Sequence, residues 1–129
     1  MLPIKVLDLS ASLIDDGSLE VIENFPRLRQ LGLSNTNVLG LGLVHLAELK
    51  DLEVLLLSDT YLNDSAIDHL PKLERLWTLA LWRTRITTAG LPKLERFPKL
   101  RNLMVDQDLE FSPAGKALRK VLVKRSLEQ

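Results

Sequence analysis

The sequence predicts an α/β solenoid: five right-handed coils of 24 residues, with a parallel sheet on the concave face and short helices or 3₁₀ turns on the convex face. Three observations predict it. An apolar slot recurs every 24 residues without slippage, at Ile4, Leu28, Leu52, Leu76 and Leu100, which is the signature of a repeat architecture. Within each period the apolar residues first alternate and then fall three apart, so a strand is followed by a helical turn. The apolar slots of each coil, at positions 1, 4, 6, 11, 16, 19 and 22, are interrupted only by Glu110 and Gly115, both in the last coil, a regularity far above what 46% apolar content supplies by chance.

Coil three, from Leu52 to Leu73 and its flanks, shows the unit. Leu55 and Leu57 share one face while Val54, Leu56 and Ser58 share the other, the period-two pattern of a half-buried strand. Ile67, Leu70 and Leu73 then place one apolar stripe on a short helix or 3₁₀ segment facing the same core. Position 13 (Asp16, Gly40, Asp64, Thr88, Ser112) is the expected start of that segment, because four of the five carry side-chain oxygens that accept from the first free N–H groups. Pro113 suits a first helical position, and Pro26 and Pro98 stop their segments. Pro71 falls late in its own, which predicts a distorted or 3₁₀ turn. Repeated in register, strand, turn and short helix wind right-handed around one core.

The motif Leu-x-x-Leu-x-Leu at 28–33, 52–57, 76–81 and 100–105, with Val105 in the last slot, resembles the leucine-rich repeat family. The run Thr84-Arg-Ile86-Thr-Thr-Ala-Gly90-Leu91 is similar to bacterial 24-residue members, and the resemblance extends from Ile4 to about Val123. It implies a noncatalytic recognition scaffold. The family commonly carries Asn at position 9, bonding to backbone between coils. Ser12, Thr36, Thr60, Thr84 and Asp108 stand there instead, and the hydroxyls are expected to form a shorter-reach ladder.

The chain reads as one domain, residues 1–129, with repeats starting at 4, 28, 52, 76 and 100 and a length that suits a single core. Coil five departs from the pattern at Asp108, Glu110 and Gly115, and a capping helix is expected at about 113–125. Its basic residues Lys116, Arg119, Lys120, Lys124 and Arg125 surround Ala117, Leu118, Val121 and Leu122. This suits a polar terminal coil that closes the core; a basic helix for an acidic partner or nucleic acid is the functional alternative. At the other end we expect no separate cap before the first strand, and Asp8, Asp16, Glu20 and Glu23 place charge where an edge needs blunting.

The net charge of zero conceals an asymmetry, since residues 1–64 carry 4 basic and 10 acidic side chains and residues 65–129 carry 13 and 7. A linear stack turns this into an end-to-end dipole. Head-to-tail, salt-sensitive self-association follows as one reading of the ends. With no cysteine there is no disulfide, zinc–thiolate or cysteine-nucleophile chemistry, and apolar runs too short for a signal core or membrane span lead us to expect a soluble, cytoplasmic protein.

Catalytic chemistry finds no support in the sequence. His45 and His69 both occupy position 18, yet no clear third ligand accompanies them. No nucleophile with an ordered His and acid emerges, nor a phosphate-binding glycine loop. Asp8, Glu53, Asp59 and Asp106 lie on different coils without an evident pocket. We therefore expect no catalytic residue, cofactor or metal. Nucleic acid is not favoured either, because basic residues gather toward one end without interleaved aromatics, and nothing points to a membrane.

Binding is a different matter. Positions 3, 5 and 7 project from the concave face, so solvent or a ligand sets their composition. There Val54, Leu56, Ala80, Trp82 and Met104 are expected to form one apolar patch on coils three to five, rimmed by Glu53, Asp59, Trp77, Arg83, Arg101 and Asp106. Exposed apolar patches with polar rims mark interaction sites, and Trp, Met and Arg are typical anchors. The expected partner-binding set is Val54, Leu56, Trp77, Ala80, Trp82, Arg83, Arg101, Met104 and Asp106, for a protein or peptide. The bland reading makes Asp59 and Arg83 a plain neighbouring-strand ion pair. The functional alternatives are a self-associating structural or regulatory solenoid and a fragment of a longer array. A carbohydrate reading, with Trp77 and Trp82 stacking on sugar rings, lacks the amide and acid side chains that usually crowd such rings.

Overall fold

The computed structural model describes residues 3–128. Each coil contributes one three-residue strand: β1 (Val6–Asp8), β2 (Gln30–Gly32), β3 (Val54–Leu56), β4 (Thr78–Ala80) and β5 (Asn102–Met104). All neighbours pair parallel in the order β1-β2-β3-β4-β5. The register equals the sequence period, so Leu7, Leu31, Leu55, Leu79 and Leu103 form one column pointing inward.

The convex side is mostly 3₁₀, at Asp16–Asn24, Leu41–Glu48 and Leu91–Arg96. Coil three uses one α-helical turn, α1 (Asp64–Ile67). Apolar residues spaced strictly by three match the three residues per turn of a 3₁₀ helix, which seldom persists this long without support. Burial supplies that support here: Leu19, Ile22, Leu43, Leu46, Leu91 and Leu94 are sealed from solvent, as is Phe97, the largest fully buried side chain. Pro71 lies beyond α1, after a turn closed by i+3 bonds from His69 N to Ala66 O and from Leu70 N to Ile67 O, both 3.1 Å.

Two local expectations are corrected. The side-chain caps of coils one and three sit one residue earlier than expected: Asp15 accepts from Ser18 N at 3.0 Å and Asn63 from Ala66 N at 3.2 Å. In coil four the segment starts after Gly90, so Thr88 is no cap. In coils one and three the earlier start leaves position 13 free to accept from main-chain N–H groups at and before the convex segment of the next coil. The Asp16 carboxylate takes those of Leu39 (2.8 Å), Gly40 (3.0 Å) and Gly42 (2.8 Å). Asp64 takes that of Thr87 at 2.8 Å.

The position-9 hydroxyls do not bridge coils. Those of Ser12, Thr36, Thr60 and Thr84 donate to carbonyls three residues back, Leu9, Leu33, Leu57 and Leu81, at 2.6 to 3.0 Å. The ladder between coils sits at position 7, where Ser10, Ser34 and Ser58 accept from the N–H of Ser34, Ser58 and Trp82 at 3.1 to 3.2 Å. Between these slots the chain passes through left-handed backbone at position 8: Ala11, Asn35, Asp59 and Arg83, with φ of 54 to 57°. That turn folds position 9 back over its own strand.

The two ends differ. Coil five continues through α2 (Gln107–Glu110) into α3 (Pro113–Leu127), capped by Ser112, whose hydroxyl accepts from Gly115 N at 3.0 Å. Leu118 and Leu122 seal the core. Arg119 donates to Leu103 O on the edge strand β5 (3.2 Å) and to Glu110 (2.8 Å), and Arg125 to Phe97 O (2.9 Å) and Glu95 O (2.7 Å). These two cations are therefore part of the cap, while Lys116, Lys120 and Lys124 face solvent. Coil one has no such cover among the described residues: Leu7, Leu9 and Ile14 are only half-buried and Leu13 is exposed. No described helix is long and apolar enough to cross a membrane.

Candidate binding face

The pairing register places Val54, Thr78 and Asn102 in one concave row and Leu56, Ala80 and Met104 in the next. Val54, Leu56 and Met104 are half-buried. Ala80, at 4% exposure, forms a floor between its two longer neighbours. Trp82 (43% exposed) stands past the carboxyl end of β4 and Trp77 (42%) before its amino end, so two indoles bracket the patch.

The backbone on both sides is held. Trp82 N donates to the Ser58 hydroxyl at 3.1 Å and its carbonyl accepts from Asp59 N at 2.8 Å. The Trp77 carbonyl accepts from Arg101 N and Asn102 N at 3.0 Å each. Arg101, expected on the rim for a partner to meet, is only 8% exposed. Its guanidinium lies 5.5 Å from the Trp77 ring centroid and donates to Leu100 O at 3.0 Å, an arrangement that orients the indole by a cation–π contact. Asp106 is committed as well, with its two carboxylate oxygens 3.1 and 3.2 Å from Arg83 N. Of the expected set, Val54, Leu56, Trp77, Trp82, Arg83 and Met104 offer surface, while Ala80, Arg101 and Asp106 support it.

Arg83 grips Asp59 bidentately, with Nη2 at 2.8 Å from one oxygen and Nε on the other. The hydrogen bond first, and the guanidinium charge after it, hold Asp59 below the usual carboxylate range; the same hydrogen bond and the Asp59 carboxylate charge raise Arg83. A carboxyl whose folded pKa is depressed supports the fold above its unfolded pKa and loses that support as pH falls through the folded one. Arg83→Ala is expected to return the Asp59 pKa to the ordinary carboxylate value in an NMR titration. An unmoved Asp59 titration would mean that the pair does not form in solution.

No protein-family model and no curated protein matches the sequence. Among solved structures, one described as leiomodin-1 actin-binding site 2 superimposes with a TM-score of 0.72 at 13% identity, covering 96% of this chain and 81% of that one. The fold is a leucine-rich repeat. An internalin from Listeria monocytogenes also aligns, at 16% identity over 81% of this chain and 42% of that one, with a TM-score of 0.46. At these identities the likeness is one of fold.

A second feature of the leucine-rich repeat escaped the sequence reading. A groove of about 620 Å³ follows the carboxyl ends of the strands, lined at positions 8 to 10 by Asn35, Asn37, Asp59, Tyr61, Arg83 and Arg85 among others. Arg85 stacks 4.8 Å from the Tyr61 ring centroid. Position 10 (Leu13, Asn37, Tyr61, Arg85) varies without serving the core, and that variation was the signal available. On the convex side His45 Nδ1 lies 3.2 Å from Glu23. Among the described residues, no three His, Cys, Asp or Glu side chains gather as metal ligands.

Proposed function

We propose that this leucine-rich repeat is a noncatalytic protein-binding module that holds a peptide or protein segment on its concave face. The observation that carries the reading is the pair of half-exposed indoles bracketing Val54, Leu56 and Met104 on a hydrogen-bonded sheet. Large aromatics fixed before association lose little entropy on binding and concentrate interface energy. The acids beside the patch favour binding over catalysis, since Asp59 and Asp106 are both engaged by Arg83. The fold neighbour named for actin binding supports a protein partner in kind.

Trp82→Ala is expected to weaken binding of a partner captured from native lysate by more than about 1 kcal/mol, with the circular dichroism spectrum and unfolding midpoint retained. Unchanged affinity in calorimetry rejects the concave site. The half-buried Leu7, Leu9 and Ile14 of coil one and the exposed Val123 and Leu127 beside Lys120 and Lys124 on α3 favour a second reading, head-to-tail self-association. Hydrogen exchange separates the two: protection in β3, β4 and β5 supports the first, and protection confined to coil one and α3 supports the second.

A further inference from the structure

A charged hollow lies on the rim of the sheet, before the amino ends of the strands. Lys5, Arg27 and Arg29 are the only basic residues before Lys50, and with Pro3 and Asp51 they line one hollow of about 270 Å³ before the amino ends of β1 and β2. In an acidic half of the chain these cations would be expected to find carboxylate partners. None has an ion pair or side-chain hydrogen bond among the described residues. Asp51 is taken by Arg75 at 3.2 Å, Asp8 by Ser10 N at 3.0 Å and Asp16 by main-chain N–H groups. Unpaired like charges in a concavity focus a positive potential, and arginine forks match carboxylate geometry.

The hollow shares a row with the indole. Position 2 reads Lys5, Arg29, Glu53, Trp77 and Arg101 across adjacent coils. At about 4.8 Å per strand, β2 and β1 lie roughly 10 and 14 Å from β4, a span that an extended segment rising about 3.3 Å per residue covers in three to four residues. Half-buried Glu53, between Arg29 and Trp77, repels an acid at the intermediate places.

We infer that the bound segment crosses the strands in extended form, with an apolar anchor on the Trp77–Trp82 patch and an Asp or Glu three to four residues away in the Lys5–Arg27–Arg29 hollow. The inference rests on the concave-face reading and adds the partner's charge and spacing to it.

A displayed library of short random peptides around one fixed tryptophan tests this against the full chain, the triple variant Lys5→Ala/Arg27→Ala/Arg29→Ala and Trp82→Ala. All three cations are exposed, and circular dichroism checks that the variants fold. We expect Asp and Glu to be enriched three to four residues from the tryptophan on wild type, and that enrichment to vanish on the triple variant. In a selected peptide, Asp→Asn at that place should weaken binding about tenfold, less at high salt. Peptides that depend on Trp82 without any preference for an acid overturn the hollow and leave the concave reading standing. Peptides that bind Trp82→Ala as tightly as wild type, or a library that yields none, overturn both.

Discussion

Leu55→Ala is expected to destabilise the chain by about 2–5 kcal/mol. Leu55 is fully buried, at the centre of the inward column between Leu31 on β2 and Leu79 on β4. A strand of three residues paired on both sides has little freedom to collapse into the space left by an isobutyl group, so the cavity cost adds to the lost transfer energy. Coils in a solenoid are stabilised mainly by their neighbours, so one truncation at coil three weakens two interfaces. Against a typical total of about 5–15 kcal/mol, the loss lowers the melting temperature by on the order of 10 °C. Urea unfolding followed by circular dichroism measures it, with Val54→Ala as the comparison. Val54 is half-buried on the opposite face, and its truncation should cost under about 1 kcal/mol. Similar losses at the two positions would contradict the assignment of faces.

How far residue pattern reaches into this structure depends on the distance over which each feature is decided. The column Leu7–Leu103 and the short convex segments were legible because their residues must repeat wherever the chain crosses the same core; the spacing of three left the helix type open, since Ile67, Leu70 and Leu73 keep it in the coil that uses an α-helical turn. Contacts between coils were harder to read. Asp15 and Asp16 are adjacent and chemically identical, yet one caps its own segment and the other ties down the next coil. The 24-residue period makes coils neighbours without saying which side chain reaches across. The same limit explains why the ladder lies at Ser10, Ser34 and Ser58, not at the position-9 hydroxyls. It also bears on the candidate binding face. Trp82 and Trp77 were legible as departures from the repeat, whereas the burial of Arg101 beneath Trp77 depends on the ring's orientation. The left-handed turn at position 8 was hidden because Ala11 and Arg83 occupy it beside Asn35 and Asp59, and only the latter two types are enriched in that region.

That coil-to-coil tie yields the second large effect. In isolation Gly42→Ala would raise stability by about 0.4–1 kcal/mol, by restricting the unfolded chain at a position whose helical backbone alanine accepts. The neighbouring coil reverses the sign. A Cβ on Gly42 would lie 2.4 Å from the Asp16 carbonyl oxygen and 2.7 Å from its Cα, both backbone atoms that cannot swing aside. The segments Asp16–Asn24 and Leu41–Glu48 must then separate, which pulls Asp16 from the N–H groups of Leu39, Gly40 and Gly42. Overpacking of this kind costs about 1–3 kcal/mol, and a charge-assisted bond adds about 1.5–3 kcal/mol for each one broken. We therefore expect a net loss of about 3 kcal/mol or more. A cycle with Asp16→Ala separates the causes, because a chain already split by Gly42→Ala has little left to lose at Asp16. The double variant should fall short of the summed losses by at least about 1 kcal/mol. Additive losses would show that the methyl acts without dislodging Asp16, and a Gly42→Ala chain as stable as wild type would mean that the two coils do not pack this closely.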